Sequence, residues 1–316
     1  MSSMFSGNVV GLANGFAAGW ANVGSGATQL LMPLIYSLVT HVGIPSFTAW
    51  RVAFIVPAML QLIKAWMVLI YGQDFPDGNY HRVPRVPDNE PKDNLFKILC
   101  HGLLNYRGWI LGLTYGFSFG VELTVDNIIA QYFYDRFDLN IGTAGAIAAS
   151  FGLANFMSRP FGGVISDEMA RRFGMRGRLW SLWVVQTVAG LLCVLLGRVN
   201  SLYGSIVVMC CFSLFVQAAS GLTFGVVPFV STRSLGVIAG MTGSGGTVGA
   251  VVTQLLLFSG STPFSKETGI SIMGVMIILC TLPVTLLYFP QWGGMFCSPS
   301  SMDSSTTNSQ DYYLLE

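Results

Sequence analysis

The 316-residue chain is 52% hydrophobic and only 10% charged, with a mean hydropathy of +0.60. Soluble domains carry about 25% charged residues, so this composition excludes an ordinary soluble enzyme and places the chain in lipid. A formal net charge of +1 lacks the basic excess of a nucleic-acid partner. Cys193, Cys210, Cys211 and Cys280 lie inside apolar runs, with only Cys100 and Cys297 outside, so the six cysteines read as buried thiols rather than a secreted disulfide framework.

A helix needs about 20 mostly apolar residues to cross the hydrocarbon core. Eight stretches qualify: 9–38, 48–71, 109–134, 142–166, 179–197, 202–228, 235–259 and 269–289. The first is no signal peptide, because it lacks a basic leader, is too long and is interrupted by glycine throughout. Arg82, Arg85, Lys92, Lys97, Arg107, Arg171, Arg172, Arg176, Arg178 and Arg233 fall in loops on one side, against Arg136, Arg198 and Lys266 on the other. By the positive-inside rule the first side is cytoplasmic, which puts both termini there. Residues 72–108, rich in Pro, Asp and Asn without helical periodicity, are expected to be a cytoplasmic linker. Residues 290–316, Ser-, Thr- and Asn-rich from Phe296 onward, are expected to be a disordered cytoplasmic tail.

In chain order, the first span carries Gly11, Gly15 and Gly19 on one helical face, the spacing that lets helices approach closely in lipid. Gly245 and Gly249 repeat that spacing in the seventh span. The third span sets Tyr115, Phe119, Glu122 and Asp126 at i, i+4, i+7 and i+11, on one stripe. Taken alone, an aromatic pair at this spacing is more often core packing. The fourth span contains Arg159. A guanidinium at a helix centre costs about 2.5–3.5 kcal/mol on insertion scales, so such residues usually face a cavity. Its planar fork suits a planar oxyanion, and the competing reading is a structural arginine paired with a carboxylate of a neighbouring helix. Glu122 has two readings of equal standing, a proton carrier or the counter-ion of Arg159, while Asp126 lies nearer the outer end and is expected to be solvated. No glycine loop is followed by Lys-Ser/Thr, and His41, His81 and His101 have no metal-ligand spacing, so neither a phosphate-binding nor a zinc enzyme is indicated and no cofactor or metal is expected.

The chain contains an internal repeat. Asn22-Val-Gly-Ser-Gly-Ala-Thr-Gln29 aligns without gaps on Thr247-Val-Gly-Ala-Val-Val-Thr-Gln254, one copy in the first span and one in the seventh, a period of six helices. Two pseudo-symmetric six-helix bundles are the architecture of the major facilitator superfamily. Gly163-Val-Ile-Ser-Asp167, followed by Arg171 and Arg172, resembles the cytoplasmic gate motif of that superfamily, with Ala170 where glycine is usual. The chain therefore reads as an all-α membrane protein, a facilitator bundle with eight of twelve transmembrane helices present. Residues 1–71 would be the last two helices of the N-terminal bundle and 109–289 the complete C-terminal bundle. On this expectation the sequence is either a fragment or a product initiated at an internal methionine.

Ala18-Gly-Trp-Ala-Asn-Val-Gly-Ser-Gly26 and Ala239-Gly-Met-Thr-Gly-Ser-Gly-Gly-Thr-Val-Gly-Ala250 resemble the two signatures of the nitrate–nitrite porter family, and of plant high-affinity nitrate transporters in particular. The likeness covers residues 1–297 and includes Phe224-Gly-Val-Val-Pro-Phe229 and Phe289-Pro-Gln-Trp-Gly-Gly294. Ala21 and Ser25 stand where glycine is frequent, and Thr247 where asparagine is. The resemblance implies nitrate, with nitrite as a further substrate, bound by Arg159, Tyr115, Phe119 and Asn22. It implies helix packing at Gly19, Gly24, Gly26, Gly243, Gly245, Gly246 and Gly249, and a gate of Gly163, Asp167, Arg171 and Arg172. It also implies proton-driven uptake at the plasma membrane, with the vacuolar membrane as alternative, with Glu122 and Asp126 as the proton-coupling candidates, and in many plant members a small single-span accessory protein. Two competing readings are a nitrate/nitrite exchanger and a truncated, non-transporting regulatory or nitrate-sensing partner.

Overall fold

The computed structural model describes residues 8–72, 94–260 and 264–299. They form eleven α-helices: α1 (Val10–His41), α2 (Ser46–Ala53), α3 (Ile55–Tyr71), α4 (Leu95–Leu103), α5 (Tyr106–Gly116), α6 (Phe119–Phe137), α7 (Ile141–Leu153), α8 (Asn155–Leu196), α9 (Leu202–Val226), α10 (Leu235–Leu257) and α11 (Lys266–Thr281). A two-residue hairpin follows, β1 (Tyr288–Phe289) paired antiparallel with β2 (Gly293–Gly294). Short polar residues start several helices by accepting an amide of the first turn. Asn105 accepts from Arg107, Asn140 from Thr143, Ser201 from Gly204 and Ser265 from Thr268.

Six described helical stretches are long and apolar enough to cross a membrane. The difference from the expected eight has two local causes. The stretch Ile141–Leu196 holds two of the expected spans, because α8 bends at Gly174 (φ 62°, ψ −149°), a conformation essentially reserved for glycine. The expected span 109–134 is broken at Phe117–Ser118 into α5 and α6.

The chain divides into two compact units, residues 1–26 with 93–316, and residues 27–92. That division differs from the one the sequence suggests, because the start of α1 lies against α8. In the smaller unit α3 has no buried residue, and Leu60, Trp66 and Leu69 face outward, as suits contact with lipid. In the larger unit α8 packs along α9 and α11, and α10 along α5 and α6. Two apolar clusters fill it, one around Ile129, Phe133, Phe151, Phe212 and Met273, the other around Leu179, Leu222, Phe229 and Phe289. Buried polar residues lie on several of its helices: Thr114 on α5, Gln186 on α8, Gln217 and Ser220 on α9.

Three expectations are corrected. The linker contains helix α4, whose apolar residues alternate with polar ones too briefly to show periodicity by eye, while residues 73–93 lie outside the described residues. The tail is folded as far as residue 299, because the hairpin buries Phe289 and Met295 and Arg107 Nε donates to Tyr288 O at 2.7 Å; residues 300–316 lie outside the described residues. Among the cysteines only Cys193 is fully buried; Cys100, Cys210, Cys211 and Cys280 are half-buried and Cys297 is exposed, because apolar helix faces here also form the outer surface.

Candidate functional site

Arg159 lies in the second turn of α8, one residue before Pro160, and is 1% exposed. Its Nη2 donates to Glu122 Oε2 at 2.7 Å, and its Nε to Asn155 Oδ1 at 2.8 Å. Asn155 Nδ2 in turn donates to Glu122 Oε1 at 2.6 Å. The three side chains thus close a ring in which both carboxylate oxygens are occupied. Nη1 is the least committed end, 3.5 Å from the Tyr115 hydroxyl. The guanidinium carbon stands 4.9 Å from the Phe119 ring centre, within range of a cation–π contact. Tyr115 stacks on Phe119 at 5.1 Å and meets Phe224 edge-on at 5.1 Å.

The break at Phe117–Ser118 is what allows this geometry. It lets Tyr115 at the end of α5 and Phe119 at the start of α6 stack face to face. Gly246 of α10 leaves room for both rings, since a Cβ there would meet Tyr115 Cδ1 and Phe119 Cδ1 at 2.8 Å. On the other side Gly15 and Gly19 of α1 seat their backbone on α8: a Cβ would meet Arg159 O at 2.6 Å and Asn155 O at 2.7 Å. Burying an ion pair is expensive, and the cost is recovered only where the geometry is good and the remaining valences are satisfied. Here the additional bonds come from Asn155, four residues before Arg159 on the same helix face. Sequence reading missed Asn155, although the i, i+4 spacing to an intramembrane arginine was a signal for it.

The structure brings together Arg159, Tyr115, Phe119 and Glu122. Asn22 is not in that cluster: its Nδ2 donates to Ala18 O of its own helix at 2.7 Å, because an asparagine in mid-helix can satisfy itself on the preceding turn. Asp126 is half-buried, with the Ser25 hydroxyl of α1 as a hydrogen-bond partner, rather than fully solvated. Among the glycines, Gly26 packs on Ala149 O, Gly245 on Gly112 and Gly249 on Gly116. At Gly24 and Gly243 an added Cβ would meet no described atom within 4 Å. Both point away from the faces that α8 and α5 occupy.

A family model described as Major Facilitator Superfamily matches residues 1–254. The chain belongs to the major facilitator superfamily. It is 61% identical over its full length to "High affinity nitrate transporter 2.5" of Arabidopsis thaliana, covering 62% of that protein. It is 63% identical over 95% of its length to the same plant's "High affinity nitrate transporter 2.7", covering 63% of it. It is 59% identical over its full length to "High-affinity nitrate transporter 2.3" of Oryza sativa subsp. japonica, covering 60% of it. The chain thus spans about three-fifths of the length of these relatives. Superfamily membership makes it a multi-pass membrane protein of all-α fold.

Two turns further along α8, before the bend at Gly174, the gate motif is built differently from expectation. Asp167 accepts the backbone amides of Gly11 at 3.1 Å and Leu12 at 2.8 Å, where the first turn of α1 presents unsatisfied donors. It also pairs with Arg178 at 2.8 Å. Arg178, expected among the solvated loop residues, is fully buried, donates to Ser166 Oγ at 2.7 Å and lies over Phe229 at 4.9 Å. Arg171 and Arg172 do not reach Asp167. They are 67% exposed and pair with Glu168 on their own helix, where i, i+3 and i, i+4 spacing favours the local partner. Gly163 packs against the Gly11 backbone.

Proposed function

We propose that the chain forms the larger part of a proton-coupled, high-affinity nitrate transporter that takes up nitrate for assimilation by alternating access. The observation that carries this reading is the buried Arg159 guanidinium caged by Tyr115 and Phe119, in a chain about 60% identical to proteins named high-affinity nitrate transporters. Nη1 and the Tyr115 hydroxyl are the donors left for a planar anion, and the stacked rings shape a flat slot for it. Asn22 would line the cavity only if its amide left Ala18. The excess of basic residues argues for cytoplasmic termini, and the resemblance to plant high-affinity nitrate transporters for a plasma-membrane location. The relatives' names add nitrite as a second candidate substrate, since a transporter of Picosynechococcus, 42% identical over 48% of the chain, is named for both anions. No residue here specifies an accessory protein.

The ion pair supplies a coupling mechanism. While Glu122 is ionised it neutralises Arg159 and competes with the anion. Protonating Glu122 breaks that pairing and gives the guanidinium to nitrate, so proton and anion bind together. Moving an anion inward against a negative potential costs about 2.3 kcal/mol per charge per 100 mV, which co-transported protons overcome. One observation favours the exchanger as a second reading: both Glu122 oxygens are already held by Arg159 and Asn155, so a carboxylate fixed as a permanent counter-ion would leave nothing to couple.

The test uses a chimaera in which residues 1–316 replace the matching part of the Arabidopsis relative, expressed in a host without nitrate uptake. Arg159→Lys keeps the charge and loses the fork. Because hydrogen bonds to charged groups are worth about 1.5–3 kcal/mol, nitrate KM should rise about tenfold or more at normal surface abundance. Unchanged KM would make Arg159 structural and remove the basis of this reading.

A further inference from the structure

The break between α5 and α6 has its own chemistry. Ser118 occupies the cap position of α6, yet its hydroxyl accepts no amide of the first turn. It is fully buried, and its Oγ has no hydrogen-bond partner among the described residues. Glu122 N bonds Ser118 O at 3.0 Å, which opens the first turn of α6 at this residue. The break is held open from outside: Gln186 of α8, itself fully buried, donates to Thr114 O at 3.0 Å. In a low-dielectric interior an unsatisfied hydroxyl is costly, and non-helical backbone at membrane depth is tolerated where it is buried in protein or lines a water-filled cavity.

Ser118 lies four residues before Glu122 and three after Tyr115, on the side of the stripe that carries the Arg159 cluster. A half-helix N-terminus offers converging amides and the positive end of a dipole to an anion. We propose that Ser118 Oγ and the first amides of α6 are a second set of donors for the transported oxyanion. The anion would be held between this helix end and Arg159 Nη1. Glu122, in the first turn of α6, is then the internal occupant of the same field, so its protonation frees the helix end as well as the guanidinium. Gly120 cannot be enlarged at this site, because a Cβ would meet Gly246 O at 2.6 Å, which keeps the α6 start fixed against α10.

This inference rests on the oxyanion reading of the cavity, and the experiment separates the two. In the chimaera, Ser118→Ala, Ser118→Thr and Arg159→Lys are compared for surface abundance, nitrate KM and maximal uptake. Losing one charge-assisted hydrogen bond should raise KM about tenfold, so Ser118→Ala should do so at normal abundance and maximal uptake, while Ser118→Thr, which keeps the hydroxyl, stays near the parent value. Parent KM in Ser118→Ala alongside a raised KM in Arg159→Lys would overturn the helix-end site and leave the arginine site standing. Parent KM in both would overturn the oxyanion reading itself. If Ser118→Ala failed to reach the surface while Ser118→Thr reached it with parent KM, the hydroxyl would belong to folding, and the proposal would be overturned.

Discussion

On the mechanism proposed above, coupling turns on Glu122. It bonds Arg159 and Asn155 with separate oxygens, and both it and Arg159 are 1% exposed. Glutamine keeps the size but presents a donor where Asn155 or Arg159 already donates, and it leaves a buried guanidinium short of its counter-charge. Removing one partner of a buried pair costs about 3–5 kcal/mol. Glu122→Gln in the chimaera should therefore show reduced surface abundance, and the molecules that arrive should exchange labelled nitrate with an affinity that no longer changes with external pH. On that proposal nitrate affinity in the parent should rise as external pH falls, because a proton on Glu122 removes the charge that competes with the anion for Arg159. Parent abundance with parent pH dependence would take Glu122 out of coupling and leave Asp126, one turn further along α6, as the proton site. The stripe Tyr115, Phe119, Glu122 and Asp126 was legible in the sequence from helical spacing, and Arg159 from the cost of intramembrane charge. The roles of Asn155 and Ser118 were not, since an asparagine and a serine in an apolar run look the same whether they bond a neighbour, their own helix or nothing.

At the scale of helices, the interruptions matter more than the runs. Hydropathy located the long apolar stretches but could not show that 109–134 is broken at Phe117–Ser118, because Gly116 and Gly120, which bracket the site, look like the packing glycines elsewhere and Gln186, remote in sequence, bonds Thr114 O beside it. Nor could it show that α8 continues through the expected loop after Asp167, where Gly174 alone supplies the bend. At φ 62° and ψ −149°, a side chain costs about 1–3 kcal/mol of strain. Gly174→Ala should lower the thermal unfolding midpoint of the purified chain in detergent. Gly236→Ala is its control, since an added Cβ there meets nothing within 4 Å and alanine favours a helix by about 1 kcal/mol. Equal midpoints for the two variants would mean that the bend relaxes without strain.

The internal repeat extends this reasoning to the whole molecule. Aligning Asn22–Gln29 on Thr247–Gln254 places Gly11 and Gly15 of α1 on Gly236 and Gly240 of α10. On α1 that face is packed: a Cβ at Gly11 would meet Asp167 Oδ1 at 2.6 Å, and at Gly15 it would meet Arg159 O at 2.6 Å. On α10 the equivalent positions meet no described atom within 4 Å. If the two copies do the same work, the α10 face receives a helix that stands to it as α8 stands to α1, and alternating access is the rocking of two such pairs. Gly15→Leu should then destabilise residues 1–316 by about 1–3 kcal/mol through overpacking and abolish transport by the chimaera. Gly240→Leu should leave the unfolding midpoint of residues 1–316 unchanged or slightly raised, yet abolish transport by the chimaera, where the face is covered. The paired readout distinguishes packing within the chain from packing against what the longer relatives add. Normal nitrate uptake by the Gly240→Leu chimaera at normal surface abundance would reduce the repeat to a likeness of sequence without a shared structural role.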